Sequence, residues 1–371
     1  MAMGVISFAR GVPAPECLAV DELADCARAA IERDGHSILS YGPGGGYGPL
    51  REWIAERHGV EQSRVVITSG SLQGFVFLCE QLVKPGARVF VEAPTYDRPL
   101  KILARLGAEV VPLAMDDEGL VPEALEQALA SGEKPAFVYI IATFQNPSGR
   151  TLSEERRRRI VEIAKAHDLL VLEDDPYGLV RYEGEAPPTL FELEGGERVI
   201  YASSFSKTVA PGVRVGYFVL PAALAAQIEA LAVSTYISPP FMSQATVYEF
   251  ARRGKFEPNL ERVNGLLKAR RDAMLEALQK HMPSDATWSR PEGGYFIWLD
   301  VPSGPDTGEL LARAEEAGVT FVKGTDFFVP GGGGERSLRL AFSFVTPEEI
   351  SDGIARLAPL LSVAPAPAAS V

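Results

Sequence analysis

A lysine, three serines and an arginine lie within one short segment of this 371-residue chain, SSFSKTVAPGVR (203–214). Ser204, Ser206 and Arg214 offer two hydroxyl groups and a planar guanidinium, which are donors that bind a phosphate group well. Lys207 lies among them in a run of small residues. A lysine held in such a place can attack a carbonyl group or act as a general base. A solvated surface lysine is the alternative interpretation of Lys207.

Three further segments carry polar groups that complement this one. The turn Ser69-Gly70-Ser71 precedes a helical pattern, and such a turn offers free backbone N–H groups to an anion at the positive end of the helix. Asn146 lies in TFQNPSG, and Asp174 and Tyr177 lie in LEDDPYG (172–178). These segments add an amide, a carboxylate and a phenol. An ordinary turn residue is the alternative interpretation of Asp174, which lies close to a proline.

Each of these polar segments follows a short apolar run that predicts a buried β-strand. Helical stretches alternate with the strands, which is typical of an α/β domain whose mostly parallel sheet is covered by helices. Because ligands bind beyond the carboxyl ends of such strands, we expect the polar segments to meet in one crevice. The seven predicted strands span residues 64–68, 87–94, 108–115, 135–143, 169–174, 198–204 and 213–220.

This set of groups matches the needs of one cofactor. Pyridoxal 5′-phosphate requires a lysine for its aldehyde, hydrogen-bond donors for its phosphate and a carboxylate for its ring nitrogen. Lys207, the two anion-binding turns and Asp174 supply these groups. The sequence therefore predicts pyridoxal 5′-phosphate as the cofactor.

Several motifs also resemble those of a known enzyme family, the fold-type I, class I/II pyridoxal-phosphate aminotransferases. The opening ISFARGVPAPE and the block YGPGGGYGPLREWIA (41–55) resemble the branch with 2-aminoadipate, kynurenine and branched-chain or aromatic aminotransferases. The resemblance extends from Ile6 to about Leu361. The motifs that carry it are ITSGSLQG (67–74), TFQNPSGRTLS (143–153), LEDDPYG (172–178) and SSFSKTVAPGVRVGY (203–217).

The resemblance implies a role for each candidate catalytic residue. Lys207 matches the lysine that binds the cofactor aldehyde and later moves the proton from the substrate Cα. Asp174 would pair with the ring nitrogen, and Tyr177 and Asn146 would hydrogen-bond the phenolic oxygen of the ring. Tyr96 matches the aromatic side chain that stacks on the ring; plain core or loop packing is the alternative.

The resemblance also implies the remaining contacts to cofactor and substrate. Tyr41 matches a tyrosine that reaches the phosphate of the neighbouring subunit, which implies a homodimer with shared sites; an ordinary turn aromatic is the alternative. Arg339 matches the arginine that binds the substrate α-carboxylate through two parallel bonds, whereas a salt bridge is the alternative. Asn146, Gly11 and Arg10 are expected to border the substrate. The residues expected to bind the phosphate are Gly70, Ser71, Leu72, Ser204, Ser206 and Arg214.

Three positions depart from the pattern of the family. Leu72 stands where related enzymes commonly have glutamine, but its backbone N–H can still reach a phosphate. Arg10 stands where relatives often have glycine, and Lys323 precedes Gly324 where proline is common. Either cation could read the acidic side chain of a dicarboxylic substrate, and either could equally point to solvent.

The pattern of elements predicts two domains. Residues 31–260 form the large cofactor-binding domain, and residues 261–361 form a smaller α+β domain in which strands alternate with helices. Residues 1–30 are expected to be an N-terminal segment that joins the small domain. The last ten residues, 362–371, are rich in alanine and proline and are expected to be a disordered tail.

Composition excludes several classes of partner. The 49 acidic and 36 basic residues leave a net charge of −13, which disfavours nucleic acid and anionic lipid. The opening MAMGVISFARGVPAPE does not have the pattern expected of a signal peptide, and no apolar run of about 18 residues predicts a membrane span. Three cysteines and four scattered histidines favour a reducing cytoplasm and no metal site. The basic run EERRRR (154–159) is expected to be a solvated helix face.

The sequence therefore predicts an enzyme that transfers an amino group between an α-amino acid and a 2-oxo acid by a ping-pong route. The expected oxo acid is 2-oxoglutarate or pyruvate. A pyridoxal-phosphate lyase or cyclase on the same scaffold is the alternative. A transcription regulator that joins this scaffold to a DNA-binding module is disfavoured by the acidic charge, and because the chain begins within about five residues of the aminotransferase-like core.

Overall fold

The computed structural model describes residues 4–361, so the predicted tail at 362–371 lies outside the described residues. Twelve α-helices and fourteen β-strands form in this range. The helices are α1 Val20–Ile38, α2 Gly48–His58, α3 Ser71–Leu82, α4 Asp97–Arg105, α5 Pro122–Ala130, α6 Glu154–Ala166, α7 Leu190–Glu194, α8 Ala222–Tyr236, α9 Phe241–Arg252, α10 Phe256–His281, α11 Thr307–Glu316 and α12 Pro347–Leu361. The strands are β1 Ile6–Ser7, β2 Val65–Thr68, β3 Arg88–Ala93, β4 Glu109–Asp116, β5 Gly119–Leu120, β6 Phe137–Ile140, β7 Val171–Asp174, β8 Val199–Ser204, β9 Gly216–Val219, β10 Thr287–Trp288, β11 Phe296–Asp300, β12 Val319–Thr320, β13 Val322–Lys323 and β14 Ser337–Ala341.

The large sheet has the strand order β2-β9-β8-β7-β6-β3-β4-β5. Strands β4, β3, β6, β7 and β8 are parallel, and β9 runs antiparallel to both of its neighbours, β8 and β2. All seven predicted strands are present, which confirms the α/β class with a mostly parallel sheet. The eighth strand, β5, pairs antiparallel with β4 at the edge. Its two residues are too few to give a sequence pattern.

Both faces of this sheet are buried, which explains why its strands are continuous apolar runs. Every residue of β2 (VVIT) and β6 (FVYI) is buried. Helices pack on the two faces and create two hydrophobic cores, one containing Val138 and Ile160 and the other containing Tyr139 and Phe75. The sheet is therefore a rigid support for the loops at its carboxyl edge.

A second group of elements is built around the antiparallel sheet β10-β11-β14-β13. The N-terminal strand β1 pairs in parallel with β12 beside it, whereas α1 packs against α9 of the large unit. Helix α10 extends from the large core at Phe256 to the small core at Met274. The two units thus share a long helix and the N-terminal segment, and the exact domain boundaries stay a prediction.

The register of three strands brings two anion-binding turns together. Thr68 at the end of β2 and Ser204 at the end of β8 both pair with Gly216, the first residue of β9. The turn after β2 and the loop after β8 therefore leave the sheet side by side. Arg214 precedes β9 by two residues and lies at the same edge.

Candidate active site

A crevice of about 390 Å³ opens at the carboxyl edge of the large sheet. It is lined by residues from the loops after β2, β7 and β8, from the N-terminal segment, and from β11 and β14 of the small unit. Thirteen of the predicted site residues lie in its wall: Gly11, Gly70, Ser71, Leu72, Tyr96, Asn146, Asp174, Tyr177, Ser204, Ser206, Lys207, Arg214 and Arg339.

Three predicted residues lie elsewhere. The guanidinium of Arg10 lies 4.0 Å from the centre of the Phe344 ring, and Lys323 forms an ion pair with Asp326. Neither cation lines the crevice. Tyr41 is 82% exposed and does not line the crevice.

The anion cradle is built from closely packed backbone. Gly70 has a φ of +78° and precedes α3, and a Cβ atom there would lie 2.3 Å from Nη2 of Arg214. A Cβ atom at Gly216 would lie 2.2 Å from the backbone nitrogen of Ser71. Only glycine fits at either position. The hydroxyl of Ser204 donates to that of Ser206 at 2.9 Å beside them, so the turn presents hydroxyl, guanidinium and helix N–H groups together.

Arg214 is held in an unusual backbone conformation. Its φ of +51° and ψ of 45° lie in the left-handed region, which is uncommon for a residue with a long side chain. The guanidinium donates to the carbonyl oxygens of Pro211 at 3.1 Å and Ser69 at 3.3 Å. These bonds hold the charged group at the edge of the cradle.

The Lys207 ammonium lies inside the crevice. Nζ donates to the carbonyl oxygen of Gly11 at 2.8 Å and lies 5.1 Å from the centre of the Tyr295 ring. Burial, together with the positive charges of Arg339 and Arg214, lowers the pKa of Lys207 to about 8. A lysine in this state can lose its proton near neutral pH, as a general base must.

The Asp174 carboxylate is only partly hydrogen-bonded. The hydroxyl of Tyr139 donates to Oδ2 at 2.7 Å, whereas Oδ1 is buried without a hydrogen-bond partner. Loss of hydration raises the pKa of Asp174 to about 6, although the Tyr139 hydroxyl opposes this change. The free oxygen fits an N–H donor on a ligand, and a positively charged donor would favour the ionised carboxylate.

Arg339 on β14 faces Asp174 across the crevice. Nη1 donates to Oδ1 of Asn146 at 2.9 Å and Nη2 donates to the carbonyl oxygen of Ala9 at 3.0 Å. Nε is buried without a partner, and the guanidinium lies 4.2 Å from the centre of the Phe296 ring. Burial lowers the pKa of Arg339 to about 10. The side chain is thus oriented, but it still has capacity to bind a carboxylate.

The aromatic side chains shape the space between these groups. Tyr177 is 4% exposed, and its ring centre lies 5.4 Å from that of Tyr295 and 5.7 Å from that of Phe296. Burial raises the pKa of the Tyr177 phenol above its ordinary value, so the hydroxyl is a donor at neutral pH. Tyr96 is half-buried and precedes α4 at the crevice wall.

The expectation for the basic run 154–159 is wrong at one position. Arg157 is fully buried, and its nitrogens donate to backbone carbonyls that include Leu152 and Ala142. The signal was present in the sequence, because position 157 lies three residues before Ile160 and therefore on the buried face of α6. The flanking arginines 156, 158 and 159 are more exposed and form surface ion pairs.

The sequence did not single out Tyr139, the only side chain in the described range that hydrogen-bonds Asp174. Tyr139 on β6 is in register with Leu172 on β7, and Leu172 and Asp174 are two residues apart on the same face of the strand. The contact between Tyr139 and Asp174 can be predicted only when the pairing of β6 with β7 is known. Phe296, on the strand next to that of Arg339, was likewise missed, because it reaches the crevice only through the packing of the small unit on the large one.

Comparison with known proteins identifies the family. The family model described as "Aminotransferase class I and II" matches residues 5–357. The chain belongs to this family. One relative of this chain is aromatic-amino-acid aminotransferase 1 of Thermococcus litoralis. The two proteins are 37% identical over 364 residues, which cover 95% of this chain and 87% of that protein.

Two further comparisons agree. The 2-aminoadipate transaminase of Thermus thermophilus is 37% identical over 359 residues, covering 95% of this chain and 89% of the relative. A crystal structure of an α-aminoadipate aminotransferase from the same organism, complexed with N-(5′-phosphopyridoxyl)-L-leucine, has a TM-score of 0.91 and 35% identity. That match covers 97% of this chain and 92% of the other chain.

The aminotransferase is thus a transaminase that depends on pyridoxal 5′-phosphate, and it acts on amino-acid and oxo-acid substrates. The crevice fits this cofactor, because Oδ1 of Asp174 lacks a donor and the glycine-lined cradle suits a phosphate. Among residues 4–361, no helix is long and apolar enough to cross a membrane. The same range contains no cluster of three side chains suited to hold a metal ion.

Proposed function

We propose that this aminotransferase moves an amino group from an α-amino acid to 2-oxoglutarate or pyruvate by a ping-pong route. The observation that carries the proposal is the convergence of Lys207, Asp174 and Arg339 on one crevice. A proton carrier, a carboxylate for the cofactor ring and a cation for the substrate carboxylate are the groups that this reaction requires.

The crevice wall would hold the cofactor at three places. Asp174 would accept a hydrogen bond from the ring nitrogen at Oδ1, and Asn146 and Tyr177 would hydrogen-bond the phenolic oxygen. When bound, the cofactor withdraws electrons from the substrate Cα and makes its proton acidic. The residues that would bind the phosphate are Gly70, Ser71, Leu72, Ser204, Ser206 and Arg214.

Lys207 would hold the cofactor at rest and move the proton during the reaction. A pKa near 8 means that an appreciable fraction of the amine is neutral at pH 7 to 8. The neutral amine can accept the Cα proton at Nζ and return it to the cofactor side. Protonation of this amine would remove this capacity, so activity should fall as the pH falls.

Arg339 would bind and orient the substrate α-carboxylate. Its planar guanidinium can form two parallel hydrogen bonds to a carboxylate, and Asn146 and Phe296 hold it in place. A carboxylate fixed in this way leaves the Cα–H bond as the one to break. This orientation favours loss of a proton over decarboxylation.

A homodimer would complete the site. The exposed Tyr41 lies beside the exposed apolar side chains Leu39, Val233 and Ile237, and the backbone N–H of Gly42 donates to the hydroxyl of Ser238, which joins these two segments. An apolar patch of this kind marks an interaction surface. Sedimentation should therefore show a dimer. Tyr41→Phe should weaken cofactor binding without dissociating the dimer.

The function is tested by incubating the cofactor-loaded enzyme with one amino acid at a time and no oxo acid. We expect about one equivalent of the corresponding oxo acid per site, and then no further product until 2-oxoglutarate or pyruvate is added. A panel of amino donors with each acceptor identifies the substrates.

Two outcomes would contradict the proposal. Continuous product release without an acceptor would indicate a lyase, because a lyase does not need a second substrate to regenerate its cofactor. No oxo acid from any donor would exclude transamination of α-amino acids.

A further inference from the structure

A second cavity, of about 540 Å³, lies apart from the catalytic crevice. It lies behind the loop that carries Asn146, between residues 149–154 and 181–187 of the large unit and residues 288–292 of the small unit. No role in the proposed reaction requires this cavity. Its lining nevertheless shares one unusual property with the crevice.

Three residues of the second cavity carry buried polar atoms that lack a hydrogen-bond partner. These atoms are Oγ of Ser153, Nε and Nη2 of Arg181, and Nε1 of Trp288. The Arg181 side chain is only 12% exposed. A buried polar atom without a partner costs free energy, and such atoms are rare in proteins unless a ligand or water satisfies them. In the catalytic crevice, Oδ1 of Asp174 and Nε of Arg339 are also buried without a hydrogen-bond partner.

The chemistry of these atoms indicates what they bind. The indole and guanidinium nitrogens can only donate hydrogen bonds, and a serine hydroxyl can also donate. Ser153 is the N-cap of α6, but its side chain makes no capping bond, so the positive end of this helix also lies at the cavity. A ligand that satisfies all of these groups must supply several acceptor oxygens.

The cavity wall carries four carboxylates, Asp117, Glu154, Glu185 and Glu292, against three arginines. An anion can bind there because all of these carboxylates except Glu185 are paired with an arginine. Arg150 and Arg290 line the cavity together with Arg181. Asp117 and Glu292, two of the four acidic residues in the wall, pair with Arg150 and Arg181 respectively. A third, Glu154, pairs with Arg158. These ion pairs reduce the repulsion that the carboxylates would exert on an anionic ligand.

From this geometry we propose that the cavity is a second ligand site, which binds a small oxyanion, either a carboxylate or a phosphate. Trp288, Arg181 and Ser153 are the residues that contact it. The site is linked to catalysis by its position. Gly149 in the cavity wall packs so closely on the carbonyl oxygen of Phe296 that a Cβ atom would lie 2.5 Å away. A ligand here would therefore hold the Asn146 loop against the small unit.

The test is calorimetric titration of the cofactor-loaded enzyme with two probes, inorganic phosphate and succinate. Succinate cannot be transaminated, and in the loaded enzyme the phosphate cradle is already filled. We expect one of the probes to bind. Trp288→Phe and Ser153→Ala should each weaken binding by about tenfold or more, because a hydrogen bond to a charged group is lost.

Two matched variants locate the binding. Thr307→Val removes another buried hydroxyl that has no partner, far from the cavity wall, and should leave the dissociation constant unchanged. Arg339→Ala removes the cation of the catalytic crevice, so any succinate bound there is lost, whereas binding at the second cavity should be unchanged. Thermal unfolding of each variant shows that it is folded.

Each possible result either supports the proposed second site or contradicts it. The probe that binds identifies the ligand class as carboxylate or phosphate. No heat from either probe, an equal dissociation constant for Trp288→Phe and wild type, or loss of binding in Arg339→Ala would overturn the proposal. Transamination assays on the same proteins, run without either probe, report on the catalytic crevice, so the two proposals fail independently.

Discussion

Two layers of buried charge meet at the end of β7, and they differ in how completely they are hydrogen-bonded. In the layer behind the crevice, Glu173 accepts from the backbone N–H groups of Leu190 and Phe191 at 3.0 and 2.9 Å. Asp175 accepts from the Tyr201 hydroxyl and from the N–H of Gly178. Both oxygens of each carboxylate are therefore used.

In the layer that faces the crevice, some of the charged groups have atoms without a hydrogen-bond partner. Asp174, between those two acids, uses only one oxygen, and Arg339 leaves Nε unused. Arg157 behind the crevice, in contrast, donates from every nitrogen of its guanidinium. Consecutive residues of a strand point to opposite faces, so Asp174 is separated from the saturated network of its neighbours. Saturated charges support the fold, whereas unsaturated charges are available to ligands.

The largest effect is expected at Lys207. Lys207→Ala removes the group that moves the proton, so kcat should fall by about 10²–10⁴-fold or more. The unfolding temperature should change little, because this side chain makes one hydrogen bond to the backbone of Gly11. Steady-state turnover and thermal unfolding measure the two quantities. Full turnover in the variant would remove Lys207 from the chemistry.

Arg157 and Arg339, both buried, give the next contrast. Arg157→Met leaves Glu173 without its cation and should cost about 3–5 kcal/mol of unfolding free energy. Arg339→Ala should weaken substrate binding by roughly 2–5 kcal/mol while cofactor binding persists. Denaturant unfolding and the KM for the amino donor measure these effects. Loss of the cofactor from Arg339→Ala would show that this residue has another role.

The neighbouring aspartates provide the same contrast within one strand end. Asp174→Asn should weaken cofactor binding by roughly 2–5 kcal/mol, because the ring nitrogen loses its charged partner. Asp175→Asn should lower the free energy of unfolding by about 1–3 kcal/mol, because two buried donors lose a strong acceptor. Equal effects of both variants on cofactor affinity would contradict the distinction between the two layers.

The smallest effect is expected at Tyr139. Tyr139→Phe should weaken cofactor binding by about 1 kcal/mol and raise the pKa of Asp174 further above its ordinary value. Because only the ionised carboxylate pairs with the ring, binding is lost as the pH falls through that pKa. The acid limb of the cofactor-affinity profile should therefore move to higher pH.

A matched variant tests whether this shift is specific. Tyr201→Phe removes the corresponding hydroxyl from Asp175 and should leave the acid limb in place. If both variants moved the limb equally, Tyr139 would have no particular influence on Asp174.

Local sequence patterns predicted most of the fold and most of the crevice wall. Parallel strands carry their loops to one edge, so Ser71, Asn146, Asp174 and Lys207 could be brought together without knowledge of the strand order. Arg339 required the resemblance to a family, because its strand belongs to the small unit and reaches the crevice only through the packing of the two units.

What the sequence did not predict depends on register and packing. The bond from Tyr139 to Asp174 follows from the pairing of β6 with β7, and no local pattern gives the order of strands in a sheet. The charged residues around Arg157 predict a position on the surface, but the structure buries this side chain. Which polar atoms remain without a partner is visible only when all side chains are placed.

Reduction of the cofactor-loaded enzyme with borohydride, followed by mass spectrometry of its peptides, is the most direct test of the site. The reduction makes the bond between cofactor and protein permanent. The peptide that contains Lys207 should carry the added mass of the cofactor, and Lys207→Ala should carry none. Cofactor mass on the peptide of another lysine, or no attachment to wild type, would contradict the assignment of this crevice as the catalytic site.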